Sequence, residues 1–243
     1  MNLGTILTTT LLSLMLACGN LNEVLTDLDT LGAPNPVPSQ MEMANGLKAA
    51  LVKGTEMGVT QLHQEGGFLN DAQVKIPFPE DVVKVKNTLI KLGLESKVEQ
   101  VVTSLNTAAE DAVIEAKPLF VNAIKEMTIM DAKEILFGAD TAATFYLKSK
   151  MRSELEAAFK PKISASLDKV NATRYWGDII GTYNKIPLVN QVNEDLPAYV
   201  TDQAIEGLFL QIAKEEAAIR ENPLERTSDI LKKVFGYADA NNE

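Results

Sequence analysis

The sequence predicts an all-α protein, a helical bundle with kinked helices. Three observations carry that expectation. From Met41 onward, apolar residues recur at intervals of three and four over most of the chain, the period of a helix with one buried face. The segments are punctuated by helix-start and helix-stop residues: Thr128, Asp140, Ser153 and Thr201 before apolar runs, Gly93, Gly138 and Gly236 after them. The only alternating stretch, Val74-Lys75-Ile76-Pro77-Phe78-Pro79, is closed by prolines, so at most a short two-stranded ribbon near residues 68–77 is expected.

The chain has 243 residues, of which 46% are hydrophobic and 23% charged, enough for one domain with a sizeable core. Its net charge of −10 repels phosphate backbones, so nucleic acid is not an expected partner. There is one cysteine, Cys18, which excludes an internal disulfide.

Residues 1–17 carry no charged side chain, and the apolar run Leu11–Ala17 is too short to span a bilayer. It has the size of a signal-peptide core. It ends in Leu14-Met15-Leu16-Ala17-Cys18, which resembles the bacterial lipobox. The resemblance implies cleavage before Cys18, its lipidation, and attachment to a membrane through the acyl chains. Two departures are the absence of an early Lys or Arg and the Met at position 15. Gly19, rather than Asp, after the cysteine resembles an outer-membrane sorting signal, facing the periplasm in a diderm bacterium. Residues 18–39 form a tether: a short amphipathic helix carrying Leu21, Val24, Leu25, Leu28 and Leu31, then Pro34, Pro36 and Pro38, a stiff extended spacer. A single domain is placed at 40–236, followed by a polar tail at 237–243.

Within the domain, Met41–Leu62 reads as a helix whose Gly46, Gly54 and Gly58 invite another helix to cross closely. His63, the only histidine, reads as a helix-end residue. Pro79-Glu80-Asp81 starts a helix that Gly93 ends. The long helix beginning near Glu95 carries Val98, Val101, Leu105, Ala108, Ala112, Ala116, Leu119, Ala123 and Met127 on one face, with its alanines thinning the middle; Pro118 is expected to kink it. On that angular reading Glu110 and Asp111 form a solvated acidic patch. Thr128 with Asp131 starts the next helix and Gly138 closes it. Asp140 is expected to cap another helix, and Ser153 with Glu156 a further one. The last long helix, capped by Thr201, has Leu208, Ile212 and Ile219 inward and Lys214, Glu215 and Glu216 in water. A final helix runs from Leu224 to Phe235. Lys117-Pro118 and Lys160-Pro161 stand 43 residues apart, and the same offset pairs Phe120 with Ile163, Ile124 with Leu167, Thr128 with Asn171 and Gly138 with Gly181, the pattern of a duplicated unit.

Candidate functional residues are few. Arg174, Tyr175 and Trp176 place a cation beside two aromatics, which can line a ligand pocket or simply cover the core. Met41, Met43, Met57, Met127, Met130 and Met151 fit either an adaptable cavity or core filling. No nucleophile elbow, phosphate loop, dinucleotide loop, calcium loop or Cys/His cluster occurs, so no catalytic residue, metal or cofactor is assigned.

Lys75-Ile76-Pro77, Leu105-Asn106 with Ala108-Ala109-Glu110, Met127-Thr128 with Asp131-Ala132, and Ala142-Ala143-Thr144 before Tyr146-Leu147-Lys148 resemble the domain-of-unknown-function 4197 family. Gly207-Leu208-Phe209, Ile219-Arg220, Asn222-Pro223, Arg226-Thr227 and Lys233-Val234-Phe235-Gly236 continue the pattern, which covers Ala44 to Gly236. The resemblance implies a bacterial, exported, largely helical protein, often with a lipoprotein-type N-terminus, and no assigned activity. The expected function is a lipid-anchored interaction or structural module of the envelope with a protein partner. The alternatives are a binder of an apolar or amphipathic ligand and an enzyme using carboxylates such as Glu110 and Asp111.

Overall fold

The computed structural model describes residues 37–79, 83–91, 93, 95–185 and 195–241. The expected signal peptide, the lipobox-like stretch at Cys18 and most of the expected tether lie outside the described residues, as does the expected helix start at Glu80-Asp81. The described elements are helical: α1 (Gln40–His63), α2 (Val83–Lys91), α3 (Glu95–Val113), α4 (Ala116–Glu126), α5 (Ile129–Leu136), α6 (Ala142–Lys169), α7 (Ala172–Tyr183), α8 (Leu196–Glu221), a 3-10 turn (Pro223–Glu225) and α9 (Asp229–Asp239). The expected all-α class is what forms.

Two helices organise the bundle. α1 packs on α8, α9, α5, α4 and α3, while α6 packs on α3, α8, α4, α7 and α5. The glycines of α1 mark its crossings. A Cβ at Gly46 would lie 2.7 Å from Val234 of α9, and Gly54 and Gly58 face Glu215 and Gln211 of α8. The alanines of α3 behave as their size dictates: Ala108, Ala109 and Ala112 have no exposed surface, nor does Ala116 at the start of α4. Small side chains there let α3 approach α6, α8 and α1 without leaving voids.

The proline at 118 does not kink one continuous helix; the chain breaks at Ile114-Glu115, and Pro118 stands in the first turn of α4, where its missing N–H costs little. Pro161 behaves differently, lying inside α6, which runs unbroken for 28 residues. Ser153 is therefore mid-helix and caps nothing. The reason is the stripe Leu147, Met151, Leu155, Phe159, Ile163 and Leu167, which continues through it at every fourth residue, each at most 1% exposed. Pro161 and Ala157, whose carbonyl it deprives of a partner, both face solvent, where water can satisfy that oxygen. The 43-residue offset keeps register at the helix ends, since α4 and α6 end at Glu126 and Lys169 and α5 and α7 start at Ile129 and Ala172. It fails at the glycines: Gly138 follows α5, whereas Gly181 is inside α7.

Several boundaries move from their expected places. α8 starts at Leu196, capped by the Asp195 carboxylate, which accepts from Ala198 N at 2.9 Å, with Pro197 in its first turn. Thr201 is interior, and its buried hydroxyl donates to Pro197 O at 2.7 Å. α9 is capped by Ser228 and runs through Gly236 to Asp239; Ala238 is buried and Tyr237 meets Phe137 edge to face, so the helical domain extends past residue 236. Gly93 ends α2 with φ of 75°, as its position predicts.

The ribbon allowed near 68–77 does not form; the segment is a series of turns. Its backbone groups have other partners. Asn106 of α3 accepts from Ile76 N at 2.8 Å and donates to Ile76 O at 2.9 Å, a side-chain substitute for a neighbouring strand. The alternation in the sequence reports burial only, with Val74, Ile76 and Phe78 inward.

Candidate functional site

The residues singled out for ligand binding do not converge. Successive residues on α7 turn by about 100°. Trp176 is 4% exposed and meets Phe78 edge to face at 5.7 Å, whereas Arg174 and Tyr175 face solvent, Tyr175 at 59%. The cluster is a core tryptophan with two surface neighbours. Its indole N–H and the Thr173 hydroxyl are buried without a hydrogen-bond partner among the described residues. The methionines divide in the same way: Met43, Met127 and Met151 fill the core, and Met41, Met57 and Met130 are exposed, so they line no common cavity.

The acidic pair separates as well. Asp111 is exposed and accepts from the Ser166 hydroxyl at 2.6 Å. Glu110 is buried at 6% exposure, which corrects the solvated-patch reading. It lies on a second buried face of α3, shared with Asn106, Ala109 and Val113, that a single-stripe reading overlooks. Its carboxylate accepts from Phe68 N at 3.1 Å and Leu69 N at 3.2 Å, and its own carbonyl oxygen lies 2.8 Å from His63 Nδ1. His63 is indeed the last residue of α1. Together these contacts tie the turn after α1 to the middle of α3.

A denser polar centre, absent from the sequence expectations, surrounds Glu216. Expected in water, it is 7% exposed. Its carboxylate accepts from Ala143 N (3.0 Å), Thr144 N (2.9 Å) and the Thr144 hydroxyl (2.8 Å), capping α6 from a distance. Asp140 does not cap that helix: the residue at the cap position, Thr141, makes no side-chain cap bond. Arg220, one turn along α8, donates to Glu216 from Nε and Nη2 and to the carbonyls of Leu136 and Ile135, which close α5. One buried ion pair thus joins the end of α5, the start of α6 and the body of α8. Arg226 repeats the device, donating to the carbonyls of Ile219 and Arg220 and to Asp239.

A cavity beside this centre is lined by Leu47, Leu51, Thr55, Ile212, Ile219 and Phe235, with Glu216 and Arg220 at its wall. Its volume is about 20 Å³, room for one water molecule and far below the several hundred cubic ångströms of a ligand pocket. No group of acids, histidines or cysteines suited to a metal ion occurs among the described residues. No helix among them is long and apolar enough to cross a membrane.

The polar contacts explain what the family motifs build. Asn106, Glu110, Thr128, Asp131, Arg220 and Arg226 stand in the motif stretches, and each holds backbone at a helix end or turn, while Thr144 donates its hydroxyl to Glu216. Neither the curated proteins nor the solved structures give a match to the chain. One family model matches residues 37–236, nearly all of the helical domain and most of the chain, and the chain accordingly belongs to the family described as protein of unknown function (DUF4197).

Proposed function

We propose that the chain is a lipid-anchored protein of the bacterial cell envelope whose helical domain is a non-catalytic interaction and structural module. The observation that carries this reading is the placement of its one cysteine, Cys18, directly behind an apolar run of signal-peptide size. Acylation there would fix the domain to a membrane, with the outer membrane, periplasmic side, as the site in a diderm cell. The interior supports the second half of the proposal. Its buried polar side chains are mostly bound to backbone at helix ends and turns, and the cavity beside Glu216 is too small for an amphipathic molecule.

Growth with an alkyne-tagged fatty acid tests the anchor. The wild-type chain is expected to take the label and fractionate with membranes; Cys18→Ala is expected to lose the label. An unlabelled wild-type chain would end the reading. Cross-linking in intact cells then tests the module: a recurrent protein partner is expected, and a monomer under every condition counts against it.

A further inference from the structure

We propose that the groove between α1, α4 and α8 is a peptide-binding site that takes an extended segment carrying a lysine side chain. The groove is open, with a volume of about 580 Å³, in the size range of binding clefts. α1 supplies its floor with Glu56, Met57, Gln61 and Gln64, and Lys117 of α4 and Glu215 of α8 supply its walls.

Glycines build it. Gly54 and Gly58 let α8 approach α1 so closely that a Cβ on them would stand 3.4 Å from Glu215 Cβ and from Gln211 Cγ, respectively. An apolar residue suits such a crossing, yet position 211 holds a glutamine that is 3% exposed. Its Nε2 donates to Gln61 Oε1 and to Glu215 Oε1, each at 3.0 Å. Its own Oε1 is buried with no hydrogen-bond partner among the described residues. A buried acceptor left unpaired costs stability. What Gln211 maintains in return is the position of two groove side chains, which is the work of a support beneath a site and not of core filling.

Charge and hydrogen-bonding capacity select the ligand. Lys117 and Glu56 pair at 2.7 Å, so the cation of the groove lining is already neutralised and an anionic ligand finds no free partner there. The half-buried Glu215 carboxylate remains as the net charge, with one oxygen on Gln211 and no ion pair among the described residues. An ammonium group complements it. Gln61, its oxygen engaged by Gln211, keeps N–H donors for a main-chain carbonyl, and the exposed Gln64 one turn on offers a donor and an acceptor. Met57, 41% exposed, gives the methylene stem of a lysine an adaptable apolar contact. The inference deepens the interaction-module reading by giving the partner its chemistry, and it rests on that reading for its setting.

The test follows amide NMR resonances of the isotope-labelled full chain carrying Cys18→Ala. The probes are the acetylated peptide amide Ala-Ala-Lys-Ala-Ala, its analogue with Gln in place of Lys, and butylamine. The resonances of Gln61, Gln64 and Glu215 are expected to shift with the lysine peptide, and less with the other two. Glu215→Gln should weaken binding about fivefold, the scale of one partly exposed ion pair. Lys117→Gln frees Glu56 and should strengthen binding, a direction that a loosened fold does not produce. Gln211→Met should keep the melting temperature and weaken binding, because Glu215 loses its support. Glu154→Gln, at an exposed position of α6 outside the groove, should change nothing. Absence of shifts in the groove, equal response to the two peptides, or indifference to Glu215→Gln would overturn the proposal. So would butylamine matching the lysine peptide, which would mean that no main chain is recognised, or a dimer that Glu215→Gln dissolves, which would assign the groove to a second copy. A protein partner cross-linked in cells equally by the wild-type chain and by Glu215→Gln would overturn the groove and keep the module reading.

Discussion

Glu110 and Glu216 sit on two different long helices, each buried, and each accepts two backbone N–H groups from a segment distant in sequence. They differ in the company they keep. Glu216 has a guanidinium, Arg220 Nη2 at 2.9 Å, and a hydroxyl; Glu110 has neutral backbone donors and no ion pair among the described residues. The difference separates two uses of a buried acid. At Glu110 the carboxylate serves as a double acceptor that closes a turn. At Glu216 it is half of a charged joint whose other half satisfies the carbonyls of a second helix.

The largest expected effect comes from breaking the joint. Glu216→Ala leaves Arg220 buried and uncompensated and the start of α6 uncapped, at a cost of about 3–5 kcal/mol in a denaturant titration. Arg220→Met added to it should recover part of that loss, because the orphaned charge goes with it. Glu110→Ala should cost about 1–3 kcal/mol, the price of two unsatisfied amides.

Substitution by glutamine sharpens the contrast. Glu110→Gln keeps an acceptor oxygen and should retain most of the stability, while Glu216→Gln loses the charge that Arg220 requires and should not. Equal losses at the two positions would mean that the counter-ion is immaterial and the comparison false.

Local caps provide the smaller end of the scale. Thr128 and Asp131 cap α5 reciprocally over three residues, and Thr128→Ala should cost about 1 kcal/mol, read as a lowered melting temperature. Glu42 in the Ser39 capping box is held at about 2, below its ordinary 4.5, first by the Lys233 ammonium and then by the Ser39 amide. Its folded-state value is depressed, so its contribution is present above pH 4.5 and fades as pH falls toward 2. The melting-temperature gap between wild type and Glu42→Gln should close across that window, and a gap of constant size would exclude Glu42 as the titrating group. Glu42 is half-exposed at the surface, so the gap itself should be small.

What the sequence made legible follows from short-range physics. Thr128 with Asp131, Gly93 at the end of α2, His63 at the end of α1 and the thin middle of α3 each depend on residues within a turn or two of one another. The helix starts at α6 and α8 were not legible in the same way. For α6 the capping acid lies on α8, over seventy residues away, so Asp140 and Ser153 looked like better candidates than they are. For α8 the local cap is Asp195, just ahead of Pro197, and the buried Thr201 mimics a cap by its position before an apolar run.

The aromatic cluster teaches the same lesson: Arg174, Tyr175 and Trp176 are adjacent in sequence, and the pitch of α7 points them apart.

By itself the sequence determined the all-α class, the family and most helix spans, because apolar period and end residues act over single turns. It also carries the pattern at Cys18 on which the proposed membrane anchor rests. Tertiary structure alone decided which acids are buried, that Pro161 is absorbed where the chain breaks ahead of Pro118, and that residues 68–77 are held by Asn106 and Glu110 instead of by a partner strand. The reason is that a charged side chain enters the interior only where partners receive it, and for Glu110 and Glu216 the receiving backbone belongs to a segment distant in sequence. No local pattern records where that segment is.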